Sequence, residues 1–264
     1  SATNGYTLID PANPAKMIVH IHPDPDEIGT VYQPTASLAA PAPAVLAALR
    51  GAKGRIRDQS WTLQARADYE SWQQPQETPG AVKMEQVVRT ISDRYAGRAI
   101  YTNGAGNYAA FVHRYARYHG YKTQLAPTSG SMGYGLPAAI AAKLEYPQRP
   151  VICFAGDGCL QMTLQELSTA RQYGADITVI IANNGRYGTI RMHQELHYPG
   201  RVSGTDLFNP DYVQLAASYG GTGHLVTAME QLSLALDAAD RGGLHLIELR
   251  LDPQMLSTTR NLPL

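Results

Sequence analysis

From Ala81 onward the chain alternates between short apolar runs and longer amphipathic stretches. Val151-Ile152-Cys153-Phe154 and Ile177-Thr178-Val179-Ile180-Ile181 are apolar almost without a break, as in parallel strands covered on both faces. Apolar runs predict strands over 99–102, 150–155, 177–182, 223–226 and 244–249. Amphipathic spacing predicts helices over 84–95, 107–118, 135–145, 164–173, 210–219 and 228–241. Strands alternating with helices predict an α/β fold built on a doubly wound parallel sheet.

Upstream the pattern is weaker. Residues 16–21 read as a short buried strand, followed by a turn at Pro23-Asp24-Pro25-Asp26. The alanine-rich stretch 36–49 reads as a helix with Pro41 and Pro43 near its start. Together they look like the last strand and helix of a separate α/β unit. Residues 51–80 are polar, hold both tryptophans, Trp61 and Trp72, and end in Thr78-Pro79-Gly80. They read as a partly helical connection.

Composition narrows the function classes. Hydrophobic residues make up 44% of the 264, enough for a sizeable core. The 22 basic and 22 acidic side chains cancel, so nucleic acid and anionic membrane surfaces are not expected partners. No apolar run approaches the roughly 20 residues of a membrane helix, and Ser1 to Asp10 do not read as a signal peptide. The two cysteines, Cys153 and Cys159, have no metal-ligand spacing and read as small packing residues of a reduced, cytoplasmic protein.

In open parallel sheets, ligands bind beyond the carboxyl ends of the strands. Three predicted strand ends carry unusual residues: Asn103-Gly104-Ala105-Gly106-Asn107, Gly156-Asp157-Gly158-Cys159 and Asn183-Asn184-Gly185-Arg186-Tyr187-Gly188. All three should face one edge. Glycines between a strand and a helix let backbone N–H groups approach an anion. A carboxylate in such a place repels a phosphate unless a cation bridges them, and Mg²⁺ is commonly held by one or two carboxylates plus phosphate oxygens. Asp157 therefore reads either as a metal ligand or as part of a plain Asp-Gly turn. One helix and one strand separate it from Asn183-Asn184, the crossover needed to reach the adjacent parallel strand. Gly104-Ala105-Gly106-Asn107-Tyr108-Ala109 has the form of a dinucleotide fingerprint, but residues 122–130 lack the acidic ribose partner, which argues against NAD. His193 and His197 can share a helix face, as His20 and His22 can share a strand face; packing is the simpler reading of both pairs. Glu195 is misplaced for a zinc-protease helix.

The Gly156-Asp157-Gly158 and Asn183-Asn184 pair resembles the signature of thiamine-diphosphate (ThDP) enzymes. Thr128-Ser129-Gly130-Ser131-Met132-Gly133-Tyr134-Gly135-Leu136-Pro137 is similar to a stretch of acetolactate synthases, and Met17 to Gly29 to a run in the family's middle domain. The resemblance implies ThDP and Mg²⁺ as cofactors. It implies Mg²⁺ on Asp157, Asn184 and the Arg186 carbonyl, and the diphosphate on amides near Gly158 and Cys159. It further implies cofactor contacts from Gly104, Gly106, Asn107, Gly130, Met132, Tyr187, Gly188 and Thr189, with Met132 wedged between the two cofactor rings. Ile190, Arg191 and His193 are pocket candidates. Pyruvate decarboxylases resemble this stretch but carry a Glu at the Ile190 position, and acetohydroxyacid synthases a Trp at the His193 position. Gly188-Thr189-Ile190-Arg191 is also close to a benzoylformate-decarboxylase pattern, so an aromatic acyl donor stays open.

The implied organisation is the C-terminal part of a Rossmann-like middle domain over 1–55, a linker over 56–80 and the diphosphate-binding domain over 81–264. The activating Glu of the family lies in an N-terminal pyrimidine-binding domain, so no catalytic acid or base is expected within these residues. The expected partners are that N-terminal half, as a cleaved or separate chain, a homodimer or homotetramer of the full enzyme, and a small 2-keto acid. FAD or an ADP-like nucleotide on the middle domain is possible but has no support in these residues. The expected activity is decarboxylation of 2-keto acids, or ligation of the acyl group to a carbonyl acceptor. The alternatives are a natural split subunit, a non-catalytic ThDP-binding module and an NAD-binding protein.

Overall fold

The computed structural model describes residues 9–10, 15–52, 54 and 58–258, and the chain divides into two compact units, Ser1–Ala65 and Arg66–Leu264. In the first unit, β1 (Val19–His22) pairs in parallel with β2 (Ala36–Ala39), and α1 (Ala42–Leu49) follows. The expected helix over 36–49 is thus strand over its first four residues and helix over its last eight. Proline disfavours helical backbone in the residue before it, so Pro41 holds back the helix start. Pairing with β1 then takes Ala36–Ala39 into the ladder despite their helical propensity. The first strand is shifted from its expected 16–21 and is not buried: Val19 and Ile21 are 65% and 39% exposed. Helix α2 (Ser60–Trp72) supplies the expected helical part of the connection.

In the second unit the elements are α3 (Met84–Arg94), β3 (Ile100–Asn103), α4 (Asn107–Tyr115), β4 (Gln124–Leu125), α5 (Gly135–Glu145), β5 (Val151–Gly156), α6 (Asp157–Gln161) and α7 (Glu166–Gln172). Then come β6 (Thr178–Asn183), α8 (Gly188–His197), α9 (Tyr212–Ser218), β7 (Thr222–Val226), α10 (Glu230–Ala239) and β8 (His245–Arg250). Six parallel strands run in the order β4-β3-β5-β6-β8-β7. Side chains alternate across the sheet. Phe154, Ile180 and Ile247 join one core with α3, α4 and α10, whereas Cys153, Val179 and Leu246 join a second core with α5, α7 and α9. Both faces are dry, which is why β5 and β6 read as unbroken apolar runs. Burial pushes the Cys153 thiol up to about 12, so it stays protonated as a packing group.

The chain leaves β3 toward β4 and returns on the other side to β5. That reversal makes the β3/β5 boundary the topological switch point, where the carboxyl ends open a crevice. Helix α4 stops at Tyr115, short of the expected 118, because Ala116 turns to extended backbone. Among the described residues no helix is long and apolar enough to cross a membrane.

The edge strand β7 packs so closely on α9 that a Cβ at Gly223 would sit 2.4 Å from Val213 Cα and 2.8 Å from its carbonyl oxygen. Both are backbone atoms that cannot swing aside. Gly223→Ala should therefore cost about 2–3 kcal/mol, the upper range for overpacking, measured by chemical denaturation; a loss below about 0.5 kcal/mol would contradict this packing.

On the same strand His224 Nε2 lies 3.1 Å from His245 Nδ1, with the rings stacked. Burial, then the neighbouring His245, holds His224 below its usual value. A histidine with a lowered folded pKa favours the neutral form, so its contribution is complete above the unfolded value and is lost as pH falls below it. Stability should drop between pH 7.5 and pH 5, and His224→Gln should drop less. Equal losses in parent and variant would remove the histidine pair as the cause.

Candidate functional site

Strands β3, β5 and β6 are neighbours in register, with Asn103 opposite Phe154 and Gly156 opposite Ala182. This brings the three unusual strand ends to one edge, as the sequence predicts. A cavity there is lined by Gly106, Asn107, Met132, Asp157, Gly158, Cys159, Asn184, Arg186, Tyr187, Gly188, Thr189 and Ile190. Of the remaining predicted residues, Gly104 lies behind this wall: a Cβ there would meet Cys159 Sγ at 2.4 Å. Gly130, Arg191 and His193 do not line the cavity. Gly130 sits at φ +69° with open space around it. Arg191 is paired with Glu195 at 2.9 Å, and the exposed His193 ring is stacked on His197 along α8.

Asp157 is 3% exposed. Its Oδ1 accepts from Gly158 N at 2.9 Å, and its Oδ2 accepts from Gly185 N at 2.9 Å and Asn209 Nδ2 at 2.8 Å. Burial raises its pKa and these donors oppose the rise, leaving it above the ordinary carboxylate value. No arginine, lysine or histidine ion-pairs with it among the described residues. Such a buried carboxylate calls for a cation.

The two adjacent asparagines divide their work. Asn183 is scaffold: its Oδ1 accepts from Gly185 N and Asn209 Nδ2, and its Nδ2 donates to Glu248 at 2.7 Å. Asn184 lines the cavity and spends its amide nitrogen on the Met255 carbonyl at 3.4 Å, and its oxygen accepts no hydrogen bond among the described residues. Gly185, at φ +73°, takes the left-handed turn that aims its N–H at Asp157. The loop is strapped down by Tyr187 N to Thr205 O and Leu207 N to Gly185 O, both 2.8 Å.

The donor set fits a phosphate-bridging divalent cation. It offers one carboxylate, one neutral amide oxygen and backbone carbonyls, and no cluster of three His, Cys, Asp or Glu side chains exists among the described residues. Mg²⁺ prefers such a sparse oxygen set, completed by phosphate and water. The anion has donors too. Helix α6 begins at Asp157 directly from β5, so its first N–H groups have no carbonyl partner within the helix, and that of Gly158 bonds the Asp157 carboxylate instead. Arg186, at the cavity wall, has Nε and Nη1 buried with no hydrogen-bond partner among the described residues, and the carboxylate of Asp206 stands 3.9 Å from its Nη2. Orphaned guanidinium donors beside a cavity suit an anionic ligand.

Several contributors were invisible in the sequence. Asn209 bridges Asp157 and Asn183, and Gln161 Nε2 orients Asn209 at 2.8 Å. Tyr108 packs under Gly156 and Gly106, with its hydroxyl 3.1 Å from Cys159 Sγ. Asn107 donates its side-chain nitrogen to the Leu256 carbonyl, so the C-terminal segment closes one side of the cavity. An Asn-Pro pair at 209–210 signals only a turn, and nothing local marks a contact made across 52 positions.

Comparison with known proteins places this geometry. Residues 104–249 match the family described as "Thiamine pyrophosphate enzyme, C-terminal TPP binding domain". The chain is similar to the acetolactate synthase large subunit of Corynebacterium glutamicum, 33% identical over 244 residues, 88% of this chain and 39% of that protein. It is likewise similar to the large subunit from Haemophilus influenzae, 31% identical over 240 residues, 86% of this chain and 41% of that protein. Among solved structures it resembles the Rhodococcus jostii RHA1 thiamine diphosphate-dependent 4-hydroxybenzoylformate decarboxylase, with TM-score 0.73 and 25% identity, covering 89% of this chain and 44% of that one. The chain thus spans about two fifths of the length of these relatives. It belongs to the thiamine pyrophosphate enzyme family, as the C-terminal cofactor-binding part.

Proposed function

We propose that this chain holds the diphosphate and Mg²⁺ of ThDP for an enzyme that decarboxylates 2-keto acids or ligates their acyl group to a carbonyl acceptor. The observation that carries the reading is Asp157, buried without an ion-pair partner among the described residues at the end of β5, in one cavity with Asn184 at the end of β6. Asp157, Asn184 and the Arg186 carbonyl would hold the metal. Amides near Gly158 and Cys159 would hold the diphosphate, with the Gly158 N–H shared with Asp157, and Met132 would support the cofactor rings. When bound, ThDP supplies an electron sink for breaking the bond to the substrate carboxylate. The pyrimidine-binding domain with its activating carboxylate, an oligomeric state of at least a dimer and a cytoplasmic site of action belong to the same proposal.

ThDP affinity should require a divalent ion, because diphosphate and Asp157 repel each other without one. By calorimetry on the complete protein with and without Mg²⁺, Asp157→Ala should abolish binding and Asn184→Ala should weaken it at least about tenfold, over about 1.4 kcal/mol. Unchanged affinity in both variants would sink the assignment.

Ile190 sets the second expectation. It is 48% exposed and lines the cavity at the start of α8. An apolar side chain offers no proton and keeps water from its patch of wall. Ligation to a second carbonyl compound, or slow decarboxylation, is therefore expected rather than fast aldehyde release. Product analysis with pyruvate and with benzoylformate tests this. Rapid acetaldehyde with no acetoin or acetolactate, unaltered by Ile190→Glu, would refute the role given to Ile190 and leave the cofactor reading standing.

A further inference from the structure

A second cleft, distinct from the cofactor cavity, lies where α2 from Arg66 onward meets α3 and the segment after α4. It has a volume of about 490 Å³, within the range of small-molecule sites. Its wall carries the guanidiniums of Arg66, Arg89 and Arg117, the phenols of Tyr69 and Tyr118, and one carboxylate, Glu70. Three cations against one anion is a local excess in a chain whose net charge is zero. Clefts lined by one sign of charge concentrate the opposite ion.

The three arginines are not equivalent. Arg66 already meets Glu70 at 2.7 Å in an exposed pair and lies over the Tyr69 ring at 5.4 Å. Arg89 makes one hydrogen bond, from Nη2 to the Gln73 carbonyl at 3.3 Å. Arg117 has no side-chain partner among the described residues; its backbone N–H alone is bonded, to Ser92 Oγ. Two guanidiniums with spare donors thus face one cleft, and neither is neutralised by a carboxylate. The wall between them is fixed. Gln73 is buried, and its Nε2 donates to the Tyr69 hydroxyl at 2.6 Å and to the Arg114 carbonyl at 3.2 Å. One buried residue therefore meets both: the Gln73 side chain holds Tyr69, and its backbone carbonyl accepts from Arg89. Tyr69 and Tyr118 are 44% and 38% exposed, so their rings offer apolar surface beside the charge.

Guanidiniums with free paired N–H groups match phosphoryl oxygens, and tyrosine rings match a planar group. We propose that this cleft binds a phosphomonoester carried on an aromatic ring, with Arg89 and Arg117 on the phosphoryl group and Tyr69 and Tyr118 beside the ring. The site is independent of the metal and diphosphate assigned to Asp157 and Asn184.

The test is calorimetry on the complete protein with chelator present, so that no divalent ion recruits phosphate to Asp157. Phenyl phosphate, inorganic phosphate and phenol are titrated in turn. Trp72, whose ring lies 6.4 Å from that of Tyr69, gives a parallel fluorescence signal. Phenyl phosphate should bind at least tenfold more tightly than inorganic phosphate, and phenol should not saturate. Arg117→Gln alone should weaken phenyl phosphate severalfold, and Arg89→Gln with Arg117→Gln should weaken it more than tenfold, with ThDP and Mg²⁺ binding retained as the check on folding. Absence of saturable phenyl phosphate binding, equal affinity for inorganic phosphate, or binding unchanged in Arg117→Gln would each overturn the proposal.

Discussion

The second unit is organised around one buried carboxylate. Asp157 sits at the end of a strand covered on both faces, where an unpaired charge is costly. Three donors reach it from three parts of the chain: Gly158 at the start of α6, Gly185 after β6, and Asn209 before α9. Each depends on an upstream choice. Gly185 must turn left-handed, Asn183 must brace Asn209, and β5 must pair with β6 in the observed register. A slip of one residue would send Asp157 and Asn184 to opposite faces. The apolar strands set that register, so the two cores and the charge depend on each other.

The parts of the fold that the sequence exposed are those with a dry surface. Residues 150–155 and 177–182 stood out because both faces of β5 and β6 are buried. Helices α3 and α10 stood out because each buries one stripe. Helix α8 was not among the predicted helices, and it has no buried residue, so no core stripe marks it. The short α6 was hidden because it starts on the middle residue of Gly156-Asp157-Gly158, a motif that looks like a turn. Ala36–Ala39 misled in the opposite sense, since pairing with β1 overrode alanine's helical preference.

The candidate site was legible wherever its residues lie close in sequence at a strand end. Asp157, Gly158, Asn184 and the Tyr187–Ile190 run all reach the cavity for that reason. Asn209, Gln161 and Tyr108 were not legible, because each acts through contacts made only after the sheet forms. His193 and Arg191 share a helix with cavity residues but turn to His197 and Glu195 instead. Sequence proximity brings the loop to the cavity, and helix geometry then decides which of its side chains line it.

The central claim is that Asp157 and Asn184 hold a divalent cation that bridges a diphosphate. Its most direct test is a crystal structure of the protein grown with ThDP and Mn²⁺, a Mg²⁺ substitute that is visible by anomalous scattering. The account predicts one anomalous peak, about 2.0–2.2 Å from an Asp157 carboxylate oxygen, the Asn184 amide oxygen and the Arg186 carbonyl, with phosphate oxygens completing the shell. A bound cofactor whose metal lies on other ligands, or a diphosphate seated with no metal at Asp157, would contradict it.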